Sequence, residues 1–272
     1  MPLKDLLVSF SNGSSSDAVL EFGLALARQT GATASAIHVT PPIFEQNQIA
    51  TWMPDALMDQ IRQAKQDAPQ LAQKALQDRL ATQAPQQDVR WISAAGDIVD
   101  TLAMAARTHD LLLLGRYRET NEEDGTHVRP EQIVTRSGRP LIIVPRSWRG
   151  DRLGRAVIAW DGGHTAARAL FDMMHLLPCI DELHVVSVTS GSSALLGDVE
   201  AHLARHGRQA RIKTLKPGNN TAAQILSYCD DIDADLLVAG SRGTTRLRAG
   251  FVPGGTGRGF FDQARCPVFV SH

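Results

Sequence analysis

Asp110-Leu-Leu-Leu-Leu-Gly115 and Asp235-Leu-Leu-Val-Ala-Gly240 are two copies of one six-residue pattern in a chain of 272 residues. Each copy is followed by a Pro-led apolar run, Pro140-Leu-Ile-Ile-Val144 and Pro267-Val-Phe-Val270. Runs so short and so continuously apolar suit strands covered on both faces, as in a parallel sheet. Outward from these anchors, the same series of segments repeats. In the first half the strand candidates are Leu6–Phe10, Ala34–Val39, Val89–Ile92, Leu111–Leu114 and Leu141–Val144. In the second they are Ala156–Trp160, Leu183–Val188, Ile212–Leu215, Leu236–Ala239 and Val268–Val270.

Helix-length amphipathic stretches separate these runs, which is the mark of parallel strands joined by crossover helices. Ser16–Gln29 and Thr165–Leu177 form one matching pair, and Ile98–Thr108 and Thr221–Cys229 another. The first of these helices stops near Gly31, and Ala194–His206 ends at Gly207. Asp55–Ala81 is the longest stretch, and Pro69 within it predicts a kink or a split. Gly259–Ala264 forms the final helix. The expected fold is α/β: two tandem, doubly wound, mostly parallel five-stranded sheets flanked by helices. The polar join Arg146–Gly154 sets the domains at residues 1–147 and 154–272. Each domain carries its ligand crevice at the carboxyl ends of its strands.

Composition narrows the function. With 28 basic and 29 acidic residues the net charge is -1, so no electrostatic footprint for nucleic acid exists. No apolar run is long enough to span a membrane, and a cytoplasmic protein is expected. Cys179, Cys229 and Cys266 are odd in number and widely spaced. They read as buried small apolar side chains in a reducing compartment, neither a disulfide framework nor a zinc ribbon.

Only the second copy of the pattern continues into glycine-rich sequence, Gly240-Ser-Arg-Gly243 and then Pro253-Gly-Gly-Thr-Gly257. A phosphate needs converging backbone N–H groups with no Cβ in the way. Gly240 and Gly243 follow a strand. Gly254, Gly255 and Thr256 precede the final helix, whose N-terminus and hydroxyl suit a second phosphate oxygen. Arg242, Arg246 and Arg248 add positive charge. The competing reading is a glycine turn with solvated arginines. Asp161, directly after Ala156–Trp160, is placed to accept from a ribose hydroxyl or an adenine amino group. Its competing reading is an Asp-Gly turn capping the next helix.

Together these residues resemble the universal stress protein family in its tandem-domain form. Nucleotide-binding members of that family carry an acid after the first strand, matched by Asp161, and G-x2-G-x9-G-[S/T] after the fourth, begun here by Gly240 and Gly243. Val188 falls where the family's adenine-contacting strand end lies. The resemblance implies an adenine-nucleotide-responsive stress-response module: ATP or another adenine nucleotide as ligand, no metal beyond magnesium carried with the nucleotide, and further protein partners not named by the sequence. Two departures stand out. Eleven residues, 244–254, separate Gly243 from Gly255, and Pro253 removes an N–H from the loop. In the first half Ser11 takes the acid position, and Glu122, Glu123 and Asp124 follow Gly115 where phosphates would bind, so that half is expected to hold no nucleotide.

No catalytic constellation is legible. No Gly-x-Ser-x-Gly elbow follows a strand, Asp161 and His164 lack a nucleophile, and His202 and His206 (i, i+4) lack a third metal ligand. Ser14–Ser16 reads as a cap for the first helix, and the polar face of the long helix reads as solvated. The alternatives are an interaction protein whose nucleotide site has decayed, and a slow ATPase or nucleotide hydrolase. The carboxyl-terminal edge strands are expected to pair, within the chain or in a homodimer.

Overall fold

All ten expected strands form. The first half supplies β1 (Asp5–Ser9), β2 (Thr33–Thr40), β3 (Val89–Ala95), β4 (Leu111–Gly115) and β5 (Leu141–Val144). The second supplies β6 (Arg155–Ala159), β7 (Glu182–Val188), β8 (Ala210–Leu215), β9 (Leu236–Gly240) and β10 (Val268–Ser271). The structure is a computed structural model, and it describes residues 3–11, 13, 15–42, 54–116, 130–190, 194–241 and 256–272.

The strands lie in one sheet in the order β3-β2-β1-β4-β5-β10-β9-β6-β7-β8. Each half is parallel throughout, and the halves meet at a single antiparallel pair, β5 with β10, in the register Val268↔Ile143 and Val270↔Leu141. The carboxyl-terminal strands therefore pair inside the chain. Of the two expected arrangements this is the intrachain one, with β9 on one side of β10 and β5 on the other. Among the described strands the outer ones are β3 and β8.

Strand side chains alternate between two cores. Leu6, Val8, Leu113, Ile158, Val185, Val238 and Phe269 point to one face. Leu7, Leu112, Leu114, Val157, Leu237 and Val270 point to the other. Helices α1 (Ser15–Thr30), α5 (His164–Met173) and α6 (Ala194–Arg205) cover the first face, together with a 3-10 segment, Met174–Cys179. Helices α3 (Ile98–Ala106), α4 (Pro130–Ser137), α7 (Thr221–Asp231) and α8 (Thr256–Gln263) cover the second. Burying each large aliphatic side chain contributes about 2 kcal/mol, so double coverage makes the central strands the stable frame on which the loops sit. Gly31 and Gly207 close α1 and α6 in left-handed backbone (φ 69° and 73°), the conformation that favours glycine.

Two expectations change. Helix α2 (Asp55–Gln83) runs through Pro69 without dividing. Proline removes one backbone hydrogen bond there, while Ala72 and Leu76 bury the following turns and the Lys65 ammonium donates to the carbonyls of Pro41 and Pro42 (3.3 and 2.9 Å). The join between halves is also more than a polar connector. Trp148 and Leu153 are buried in the core, and the Trp148 ring meets Phe22 edge-on at 5.1 Å. The Gln29 side chain binds the Leu153 N–H and the carbonyls of Leu153 and Cys179, tying α1 to the second half.

Candidate functional site

The repeated pattern is explained first by what its aspartates do. Asp110 Oδ2 accepts from the N–H groups of Lys4 and Asp5 at 2.8 and 3.0 Å, where β1 begins. Asp235 Oδ2 accepts from those of Gly154 and Arg155 at 2.9 and 2.7 Å, where β6 begins. Each carboxylate satisfies two N–H groups at the start of a central strand, a charge-assisted arrangement stronger than neutral pairing. These aspartates sit at the amino ends of the strands, opposite any ligand crevice.

At the carboxyl ends, strand order reverses between β1 and β4 and between β6 and β9, and at such a switch point flanking loops diverge and leave a crevice. In the second half the crevice is narrow, about 380 Å³ including the solvent at its mouth. Trp160, Asp161, Val188, Thr221, Gly240 and Phe260 line it. Three expected site residues thus meet there: Asp161 from the end of β6, Val188 from β7 and Gly240 from β9. Thr256 opens α8, whose Phe260 forms one wall. Gly243, Gly254, Gly255 and the three loop arginines lie outside the described residues.

Two of these residues have a structural duty as well. Asp161 Oδ1 accepts from the Gly163 N–H at 2.8 Å, so the Asp-Gly turn is present at the start of α5. Among the described residues Oδ2 takes no hydrogen bond. Gly240 is required by packing: a Cβ there would lie 2.5 Å from the Thr165 carbonyl carbon and 2.6 Å from the Ala166 nitrogen. The first turn of α5 crosses the end of β9 closely enough to exclude any side chain.

Two polar atoms are buried with no partner among the described residues: the indole Nε1 of Trp160, which lines the crevice, and the hydroxyl of Ser241, which belongs to a separate cleft with Glu131, Gln132, Thr135 and Arg136. An unpaired buried donor costs about 1–3 kcal/mol, which a ligand acceptor can recover. Helix α7, which brings Thr221 and Ile225 to the wall, is capped by the Asn220 side chain accepting from Ala223 N (3.1 Å). It is also fastened to the sheet through buried His184, which contacts the Tyr228 hydroxyl at 2.7 Å and Glu182 at 3.0 Å. Hydrogen bonds from Arg155 and His184 hold the Glu182 carboxyl below its ordinary range, while burial pushes the Tyr228 hydroxyl up.

The matching corner of the first half is built differently. Ser11 takes the position of Asp161, and its N–H and hydroxyl both contact the Ser16 hydroxyl, at 2.8 and 3.0 Å. Ser16 is thereby committed to Ser11, while Ser14 and the side chain of Ser15 lie outside the described residues. Buried Phe10, the counterpart of Trp160, is covered by the Arg79 guanidinium of α2 at 5.5 Å from its ring centroid, and Arg79 pairs with Asp17. Arg116, directly after β4, sends its side chain across to the carbonyls of Asp262 and Ala264 at the end of α8. The acidic run 122–124 lies outside the described residues.

All three cysteines are buried and free, Cys229 and Cys266 in one core and Cys179 in the other. The His202 and His206 rings stand 4.8 Å apart, and no group of three potential metal ligands forms among the described residues.

The sheet flanked by helices agrees with what comparison finds. The model of the Universal stress protein family matches residues 2–143, and the chain belongs to that family. Over the full length it is similar in fold to a universal stress protein from Archaeoglobus fulgidus DSM 4304: TM-score 0.64, 18% identity, covering 98% of this chain and 97% of that one. It is also similar to a functionally unknown protein from Pseudomonas aeruginosa PAO1: TM-score 0.56, 14% identity, covering 99% and 92%. At these identities the likeness establishes fold alone. No curated protein matches the chain. No helix among the described residues is long and apolar enough to cross a membrane.

Proposed function

We propose that the chain is a cytoplasmic stress-response module that answers to an adenine nucleotide held in the second-half crevice. The halves divide the work at the 1–147 and 154–272 boundary. The observation that carries this reading is the meeting of Asp161, Val188 and Gly240 at one strand-order reversal, beside an indole N–H without a partner. Asp161 would accept from the ribose or base through its free oxygen, and Val188 would contact the adenine. Gly243, Gly254, Gly255 and Thr256 would hold the phosphates, with magnesium accompanying them. Binding rather than turnover is the activity this reading assigns to the crevice.

A second reading, a partner-binding module whose nucleotide site has decayed, is favoured by the bond from Gly163 to Asp161 and by Pro253 in the loop. Titration of labelled ATP into the intact protein and into Gly243→Asp separates the readings. Binding lost in the variant supports the nucleotide module. Release of phosphate supports a hydrolase, and absence of binding to the intact protein supports the decayed site.

A further inference from the structure

We propose that Tyr228 is a modification site, an oxygen nucleophile that takes an acyl group from a small anionic donor such as an acyl phosphate, with His184 as its base. Placement is the first support. Glu182 and His184 open β7, Arg211 and Lys213 lie beside them on β8, and Tyr228 descends from α7. Among the described strands β8 is an outer one, so this corner can be approached from the side. It lies at the amino ends of the strands, away from the crevice. Tyr228 is 44 residues from His184 in sequence, so only the fold assembles the group.

The geometry is that of a proton relay. The Tyr228 hydroxyl lies 2.7 Å from His184 Nδ1, and His184 Nε2 lies 3.0 Å from Glu182 Oε1. A hydroxyl within reach of an imidazole whose other nitrogen is held by a carboxylate is the arrangement that activates an oxygen nucleophile. With Nε2–H donating to the carboxylate, Nδ1 is left to accept from the hydroxyl. His184 is buried, and Glu182, the positioning residue, is fixed further by Arg155 Nε and Arg211 Nη1, both at 2.9 Å. Burial pushes the Tyr228 hydroxyl up, so at neutral pH it is a phenol and needs a base at the moment of attack. Tyr228 is itself only half-buried, and the exposed Lys213 ammonium stands 6.0 Å from its ring centroid. Together with the exposed Arg211, that charge favours a donor whose leaving group is an anion. In the step, the Tyr228 oxygen attacks the acyl carbon while its proton passes to His184 Nδ1. The carbon–oxygen bond to phosphate then breaks and phosphate leaves with the electron pair. The products are an aryl ester and inorganic phosphate, which recovers the proton from the imidazolium through water.

The test incubates the full chain with acetyl phosphate and maps acetylated peptides by mass spectrometry. Neutral hydroxylamine strips tyrosine esters and leaves acetyl-lysine amides in place. Tyr117, the other tyrosine of the chain, is the internal comparison. The expected result is a hydroxylamine-labile acetyl group at Tyr228 and none at Tyr117, formed about 100-fold more slowly in His184→Gln. Lys213→Met should slow the reaction with acetyl phosphate about fivefold and leave that with neutral p-nitrophenyl acetate unchanged. Equal effects on the two donors would overturn the assignment of an anionic donor. Acetylation confined to lysines, equal labelling of the two tyrosines, or labelling of Tyr228 no faster than in the urea-unfolded chain overturns the proposal. The comparison of folded with unfolded wild type decides the matter even where His184→Gln fails to fold.

Discussion

The two halves share a frame and differ at the mouth of the crevice. Asp110 and Asp235 do one job in one geometry, each joining the fourth strand of its half to the start of the first. A few residues away, at the opposite ends of the strands, symmetry fails. Asp161 faces a crevice, whereas Ser11 is folded onto Ser16. Ser241 has no partner among the described residues, whereas Arg116 reaches across the molecule to cap α8. The comparison separates what duplication preserves for stability from what it releases for other uses. At the matching corner of the first half, Arg79 of α2 covers Phe10 and Arg116 reaches the end of α8.

The comparison can be broken most severely at the crevice floor. Gly240→Ala drives a Cβ into the backbone of α5, where no side-chain rotation relieves it, and should cost at least about 3 kcal/mol. Urea denaturation followed by circular dichroism reads this as a lowered midpoint, and an unchanged midpoint would remove the packing explanation.

The shared frame gives the next effect. Asp110→Ala and Asp235→Ala each strand two backbone N–H groups and should lose about 2–3 kcal/mol, matching each other within about 1 kcal/mol. A loss confined to one variant would show that the frames are not equivalent. Smaller still, Arg116→Met removes a cation from the carbonyl end of α8 and should cost about 1–2 kcal/mol, while Ser241→Ala removes an unpaired buried hydroxyl and should leave stability unchanged or raised by about 1 kcal/mol. Equal effects at these two positions would contradict the asymmetry.

The smallest effect is a pH dependence peculiar to the first half. His38 is buried, stacked on Trp91 with ring centroids 6.1 Å apart, and burial lowers its pKa from 6.5. The unfolded chain then binds a proton that the folded chain refuses. His38 therefore contributes its full stability above pH 6.5, and that contribution is lost as pH falls from 6.5 towards the lowered folded value. His38→Phe should flatten that part of the stability curve. A wild-type curve already flat there would remove the claim.

Most of the frame was legible because parallel strands covered on both faces must be continuously apolar, and ten such runs in matching order leave few topologies. Gly31 and Gly207 stop their helices as read. Of the two outcomes read from Pro69, the split does not occur: the helix continues, with a buried face at Ala72 and Leu76 beyond the missing hydrogen bond. Helix α4 was not foreseen, although Pro130 at its first position was a usable signal. Asp161 and Val188 were readable as strand-end residues. The packing role of Gly240 was not, since its reason is the backbone of α5.

The central proposal is that the second half holds one nucleotide and the first half none, and the stoichiometry of ATP measured by calorimetry tests it most directly. The account predicts one nucleotide per chain, abolished by Asp161→Ala and untouched by Ser11→Ala. Two nucleotides per chain, none, or binding that survives Asp161→Ala would contradict it.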